Sequence, residues 1–239
     1  MSALSIVVPV NSEVRGFKAF LVHLLQAVAP LNGSEIIVVD GTAGVGVSLI
    51  CRSNGICVIR AEDQRLLQMN RGAALAHGDY VLFLDPNITL PENFADIWRS
   101  IRRAGPVWGF FSLRVNRAPW RLRWLARVIS LRSRISGIAV ADQPLFVQRN
   151  AWKLAGDAGE GRLDSFFELC RRLRVLTSPW VAQAVDSQSV RWQSANWRSI
   201  LCAGLSSRLY FGGDEPHRAS ANSVNEKTGA GRKRAPELP

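Results

Sequence analysis

The chain has no apolar run approaching the roughly 20 residues that a bilayer span needs; runs such as Leu4 to Val10 and Tyr80 to Leu84 are of strand length. No membrane-spanning helix is expected. No basic segment precedes the first apolar run and Pro9 interrupts it, so the N-terminus reads as a buried strand and not as a secretory signal. Cysteine is sparse. Cys51, Cys57, Cys170 and Cys202 show no CxxC spacing and form no His/Cys cluster of zinc geometry, which leaves reduced thiols in a cytoplasmic protein as the simplest expectation. His23, His77 and His217 stand singly, without a serine elbow or a partner carboxylate pattern, and are assigned no catalysis. Acidic residues are scarce too, 19 against 30 lysines and arginines, a net charge of +11. Such a surface attracts polyanions, acidic lipids or a phosphate-bearing substrate, and charge alone does not choose among them. Nucleic acid is not expected as a partner, because no recognisable binding motif accompanies the charge.

What is present is enough for a core. Hydrophobic residues make up 47% and charged ones 21% of 239 residues, which rules out wholesale disorder and suits one domain with an elaborated second half. Leu4 to Val10 (LSIVVPV) is a continuous β-rich run, and Val14 to Ala29 carries Phe17, Phe20, Leu21, Leu24, Leu25 and Val28 at helical spacing. Glu35 to Val39 (EIIVV) is a second buried strand, ending in Asp40 and the glycine-rich GTAGVG. A short helix over Val47 to Asn54, a strand over Ile56 to Arg60, a helix over Asp63 to His77 stopped by Gly78-Asp79, and a strand over Tyr80 to Leu84 follow. Alternating strands and helices predict an α/β fold, a mainly parallel sheet with helices on both faces and a Rossmann-like first half. Ligands bind such sheets beyond the carboxyl ends of the strands, so Pro9 to Glu13, Asp40 and Asp85 to Asn87 should converge on one crevice.

The texture changes after about Gly105. Trp108 to Arg114 reads as a strand, and Pro119 to Arg134 as a helix on which Trp120, Trp124, Val128 and Leu131 share a face beside a stripe of Arg123, Arg127 and Arg134. Two readings stand side by side: a helix lying on an anionic membrane surface, or a helix whose tryptophans pack onto the sheet. Leu163 to Arg174 and Trp197 to Phe211 read as further helices, and from about Gly212 the composition is that of a disordered tail. The expected organisation is a nucleotide-binding half over residues 1–112, an acceptor-side half over 113–215, and a tail over 216–239.

Taken singly, a strand-end aspartate is a common turn or helix cap. Asp40 after EIIVV could instead accept hydrogen bonds from a base or ribose, and Asp85 after YVLFL could hold a divalent cation that neutralises a diphosphate. Their joint position with Glu13 favours a nucleotide site.

SIVVPV with Glu13, EIIVVDG, the segment RLLQMNRGAALAHGDYVLFLDPNITLP and the later DQPLFVQR together resemble family 2 glycosyltransferases of the GT-A fold. The nearest likeness is to the bacterial subgroup carrying RxRQMNxGA, labelled arsenosugar-biosynthesis-type, and it extends from about Ser5 to Pro216. The resemblance implies that Pro9 and Glu13 border the base and ribose and that Asp40 recognises the base. It makes Arg65, Gln68, Asn70 and Gly72 the sugar-donor segment, and Asp85 the first acidic position of a DxD-like metal motif. Asp142 and Gln143 match a DQ pair beside the acceptor pocket. A divalent metal, Mg²⁺ or Mn²⁺, and a nucleotide-diphospho-sugar are the implied cofactor and partner.

The departures from the pattern carry their own expectations. Asn87 stands where the second metal aspartate belongs, so metal binding should be weak, since an amide oxygen is an uncharged ligand. Ser12 replaces an asparagine, Leu67 the second arginine, and GTAGVGV lacks the usual second carboxylate. Where the pattern has its acid pair before the RRLR helix, this chain has Ser165 and Phe166; Asp164, immediately upstream, is the candidate base, with a helix cap as its alternative and Asp142 as the next candidate. The leading expectation is thus a glycosyltransferase with an unidentified acceptor, cytoplasmic or peripheral on the inner membrane face. The alternative is a glycosyltransferase-like protein that has lost catalysis and acts as a nucleotide-binding or membrane-associated partner, motivated by Asn87, Val45 and Phe166.

Overall fold

A computed structural model describes residues 4–11, 16–115, 119–140, 142–155 and 166–187. In chain order the elements are β1 (Leu4–Val10), α1 (Phe17–Val28), β2 (Glu35–Asp40), α2 (Gly46–Ser53), β3 (Cys57–Arg60), α3 (Arg65–Ala74), β4 (Tyr80–Phe83) and β5 (Ile88–Thr89). They continue as α4 (Phe94–Ala104), β6 (Trp108–Arg114), α5 (Trp120–Ser136), β7 (Leu145–Gln148), α6 (Arg149–Ala155), α7 (Phe166–Leu176) and β8 (Trp180–Ser187). The strands form one sheet in the order β3-β2-β1-β4-β7-β6-β8-β5. Its first four strands are parallel, and β7 enters antiparallel between β4 and β6. This is the expected α/β architecture, and one sheet runs unbroken from the first half of the chain into the second.

Period-two alternation divides the core between the two faces of the sheet. Val8, Val10, Val38, Leu82 and Leu84 face α1, α2, α4 and α5, where they meet Leu21, Leu24, Cys51, Trp98 and Leu125. Val7, Ile37, Val39, Val81 and Phe83 face α3, α6 and α7, against Met69, Trp152 and Leu169. Both faces are dry, which is why β1, β2 and β4 read as continuous apolar runs rather than alternating ones. Pro9 is tolerated inside β1 for a local reason. Val7 C=O accepts the Leu84 N–H at 2.9 Å, so Pro9, two residues on, turns its missing donor toward β4 just where that strand ends.

The helix α4 was not anticipated, although Phe94, Ile97, Trp98 and Ile101 form its buried stripe. Asp96 in its first turn and Arg102 and Arg103 in its last complement the helix dipole, and Gly105 closes it at φ +68°. On α5 the structure separates the two readings of the tryptophan face. The helix packs through Leu122, Leu125, Ala126 and Ile129, while Trp120 and Trp124 are 72% and 56% exposed. The alternative in which those tryptophans pack onto the sheet is therefore corrected: the apolar residues on the sheet side outnumber them and take the core. The expected helix over Trp197 to Phe211 and the tail over 216–239 lie outside the described residues.

Candidate functional site

Strand register brings the candidate residues to one edge. Val10, Asp40 and Arg60 are paired across β1, β2 and β3, and Val7 pairs with Phe83, which sets Asp85 just past the end of β4 on the same edge. Phe83 pairs in turn with Leu145, so the Asp142-Gln143 turn ahead of β7 reaches that edge from the opposite direction. Asp40 and Asp85 nonetheless lean to opposite faces of the sheet. Asp40 shares the α2 side with Val38, whereas Asp85 shares the α3 side with Phe83.

Asp40 is buried and fully engaged. One carboxylate oxygen accepts the Thr42 N–H at 2.9 Å and the Thr42 hydroxyl at 2.6 Å, and the other accepts the Ser48 hydroxyl at 2.7 Å. Three bonds to a turn and to the first turn of α2 make Asp40 the pin of the GTAGVG loop, which Arg60 also braces by donating to the Gly44 carbonyl at 2.7 Å. A base bound here would meet lone pairs left over from that network. Thr42 and Ser48 were not singled out in the sequence, although Asp-x-Thr is a recognisable Asx-turn signal.

At the end of β4, Asp85 accepts a charged hydrogen bond from Arg65 Nη1 at 2.8 Å on one oxygen, and from the Asn87 N–H and Nδ2, both at 2.9 Å, on the other. Burial works to raise the Asp85 pKa, but the Arg65 charge and the Asn87 hydrogen bonds outweigh it and hold the carboxyl below its ordinary value. Asp85 is thus a carboxylate at neutral pH. The Ile88 N–H donates to the Asp85 carbonyl at 2.9 Å, closing a tight turn through Pro86.

This donor set does not fit a divalent cation as it stands. Asp85 supplies the only carboxylate of the LDPN turn, a guanidinium holds one of its oxygens, and the Asn87 amide donates to the other. Among the described residues no cluster of three metal-ligating side chains occurs. A cation would have to displace Arg65 and then sit beside its charge.

The remaining expected residues divide. Gln68 is buried on α3, donating through Nε2 to the Glu62 carbonyl at 3.1 Å and the Val10 carbonyl at 3.4 Å, and it packs against Gly41, where a β-carbon would displace its amide and press on the Val10 carbonyl at 3.2 Å. Gly72 lets α3 settle on the sheet, since a β-carbon would collide with Val7 and press on Val39 at 3.1 Å. Gly72→Val is therefore expected to cost about 1–3 kcal/mol by overpacking, read as a lowered thermal midpoint. Gln143 accepts the Val140 N–H at 2.8 Å and locks the turn before β7. Phe166 is in the core with Leu169, so the position at which the pattern expects an acid is a packing position here. Glu13 and Asp164 lie outside the described residues.

Several buried polar atoms have no protein partner: Arg65 Nε, Gln68 Oε1 and Asn70 Oδ1 on α3, and Gln143 Nε2 on the turn before β7. Buried polar atoms are normally paired, so these four, on elements that border the ligand edge, are open to a polar ligand or ordered water; Arg132 Nη1 and Ser133 Oγ on α5 are unpartnered as well.

Comparison with solved structures agrees on architecture. A glucosyl-3-phosphoglycerate synthase from Mycobacterium tuberculosis, solved with Mn²⁺, UDP-glucose and phosphoglyceric acid, matches with a TM-score of 0.55 at 15% identity over 87% of this chain and 80% of that one. The same enzyme with Mn²⁺, UDP and phosphoglyceric acid matches at 0.54 and 16% identity over 87% and 78%. TarS of S. aureus matches at 0.51 and 13% identity over 83% and 69%. At these identities the likeness is one of fold, the GT-A arrangement. No protein-family profile and no curated protein sequence matches the chain.

Proposed function

We propose that the chain moves a sugar from a nucleotide-diphospho-sugar to an acceptor hydroxyl by direct displacement. The observation that carries this reading is the ionised Asp85 with its partner Arg65 at the end of β4, bordered by unpartnered buried polar atoms of α3. The fold likeness to structures holding UDP-glucose supports it. In this reading Pro9, Glu13 and the turn pinned by Asp40 border the base and ribose, Gln68 and Asn70 shape the sugar-donor wall with Gly72 seating α3 on the sheet behind it, and Arg65 offsets diphosphate charge. Asp142 and Gln143 flank the acceptor, and Asp164 is the base. Residues 1–112 are the donor half, 113–215 the acceptor half and 216–239 a tail. A thermal-shift series with UDP-, GDP- and dTDP-glucose, with and without Mn²⁺, tests the reading, because a ligand bound only to the folded state raises its stability. One of these should raise the midpoint; no response to any would sink the proposal.

Divalent-metal dependence is weak in this proposal, since Arg65 already supplies a cation beside Asp85. Asn87→Asp adds a second carboxylate and should tighten Mn²⁺ binding in calorimetry. Unchanged or weaker affinity would remove position 87 from any metal site.

A second reading, a protein that binds nucleotide sugar without turning it over, is favoured by the burial of Phe166 where a base is expected. Sugar-donor binding without hydrolysis or transfer, across several acceptors, would select it.

Peripheral membrane contact belongs to the proposal as well. Trp120, Trp124, Leu131 and Ile135 form an exposed stripe on α5, with Arg123, Arg127 and Arg134 along one side and Arg121 on the other. Among the described residues no helix is long and apolar enough to cross a membrane. Flotation should recover the protein on anionic but not neutral vesicles, with recovery falling as salt rises; equal recovery on both would remove the electrostatic component.

A further inference from the structure

The turn before β7 leaves the end of β6 without a strand neighbour on its β7 side, and α5 fills the gap. Pairing of β6 with β7 stops at Phe110 and Leu145, with one more bond from the Phe111 N–H to the Pro144 carbonyl. Beyond it, the Ser130 hydroxyl of α5 accepts the Leu113 N–H at 3.1 Å and donates to the Leu113 carbonyl at 3.2 Å. One serine thus replaces a missing strand and fixes α5 against the end of β6.

Between α5, β6 and β8 this arrangement leaves a cleft of about 240 Å³ walled by Ser112, Arg114, Arg123, Arg127, Ser130 and Arg134. Arg123, Arg127 and Arg134 are spaced at four and seven residues, so they descend one flank of the helix, and Arg114 reaches the cleft from the strand opposite. The Ser112 hydroxyl accepts from Arg134 Nε at 3.4 Å and Nη2 at 3.2 Å, holding that guanidinium at the wall. The arginine ion pairs among the described residues employ Arg65, Arg99, Arg171 and Arg172, and none involves these four. Asp186 of β8 stands beside Arg114 in register, yet four guanidinium groups in one cleft outnumber it and repel one another, a cost that a bound multivalent anion reverses. Arginine forks match phosphate oxygens in geometry as well as charge.

The cleft also stands at the ligand edge. Because β7 is antiparallel to both β4 and β6, those two strands run the same way, and Phe83 and Phe110 share Leu145 as their partner. Ser112 is therefore level with Asp85, two strand spacings or about 10 Å across the sheet. We propose that the cleft binds the phosphate or diphosphate group of an acceptor, whose hydroxyl then extends toward the Asp85 side. The word acceptor rests on the glycosyltransferase reading; binding of the anion does not.

The test is therefore a binding measurement independent of turnover. Calorimetry with inorganic pyrophosphate and with glycerol 3-phosphate, in the presence of saturating UDP to occupy the nucleotide side, should show binding by the wild type. The double substitution Arg123→Gln, Arg127→Gln should weaken it at least tenfold while leaving the affinity for UDP itself unchanged. Arg114→Gln, on a different element, should weaken it as well, which guards against misfolding of α5 in the double variant. A short-chain prenyl phosphate in neutral detergent separates two sources of the same chemistry. Affinity well above that of glycerol 3-phosphate, with a change in Trp120 and Trp124 fluorescence, assigns a lipid phosphate, and equal affinity assigns a soluble one. Absence of phosphate binding by the wild type, or equal binding by wild type and both variants, overturns the proposal. If the anion binds as described but no sugar donor does, the cleft stands and the glycosyltransferase reading fails.

Discussion

Asp164→Asn is expected to lower kcat by about 10²- to 10⁴-fold while leaving sugar-donor affinity nearly unchanged, the signature of a lost general base. Direct displacement needs a group that takes the proton of the acceptor hydroxyl opposite the leaving diphosphate. The position at which the resemblance implies that base is Phe166, which is packed among Leu169 and its neighbours and has no basic atom. Phe166 opens α7, whose far end is tied to the start of β6 by a 2.8 Å bond from Trp108 Nε1 to the Thr177 carbonyl. The first turn of α7 is accordingly directed toward the ligand edge, and Asp164 is two residues earlier in sequence. If Asp164 only caps the helix, asparagine caps it equally well and the substitution changes neither rate nor stability much. Asp142 is the comparison. It sits in the turn before β7, on the edge shared with Asp85, and Asp142→Asn would carry the large loss if it were the base. A steady-state comparison of the two variants under one donor and acceptor decides between them, and full activity in both would leave the displacement mechanism without a base.

How much of this was legible in the sequence follows from the range of the interactions. Buried parallel strands advertise themselves, so β1, β2 and β4 were anticipated to within a residue, and β6 at its observed bounds. The ends of α3 were not. Residues 63 to 77 have helical periodicity, but Gln64 is extended, and the backbone at His77 and Gly78 is drawn to Glu35 and Ser5 by hydrogen bonds that sequence does not display. The two-residue β5 has no periodic signal, and β8 alternates too weakly, with Ala182 and Ala184 among its inward and outward positions, to stand out from a loop. At the site, the strand-end placement of Asp40 and Asp85 was readable because it depends only on strand order. The pairing of Arg65 with Asp85 across twenty residues, and the meeting of Arg114 with Arg123, Arg127 and Arg134, depend on how α3 and α5 pack and were invisible.

The Arg65–Asp85 pair yields the second large effect. Arg65→Met keeps most of the packing volume and removes the cation, so a sugar-donor diphosphate loses its nearest positive charge, and turnover should fall by about 10²- to 10³-fold, the scale for deleting one preorganised electrostatic contact. The same substitution leaves Asp85 partly buried without its ion partner. Loss of one member of a fully enclosed pair costs about 3–5 kcal/mol, and roughly half of that is reasonable here because both side chains retain some solvent contact. The pH dependence identifies the cause. With Arg65 present, the Asp85 pKa lies below its unfolded value, so the pair contributes stability above about pH 4 and loses it as pH falls through the folded value. Without Arg65, burial is opposed only by the Asn87 hydrogen bonds, so the carboxyl pKa rises and the stability that the pair contributes at neutral pH is lost. The difference in thermal midpoint between wild type and Arg65→Met should consequently be largest near pH 7 and close below pH 4; a difference independent of pH would mean that Arg65 acts through packing. Removing the guanidinium also vacates the place beside Asp85 that a cation would need. Mn²⁺ should therefore bind Arg65→Met more tightly than wild type and restore part of its activity, whereas Arg65→Lys should retain activity without Mn²⁺. An Arg65→Met variant that neither gains Mn²⁺ affinity nor loses turnover would show that the arginine does not occupy the role of a metal in this site.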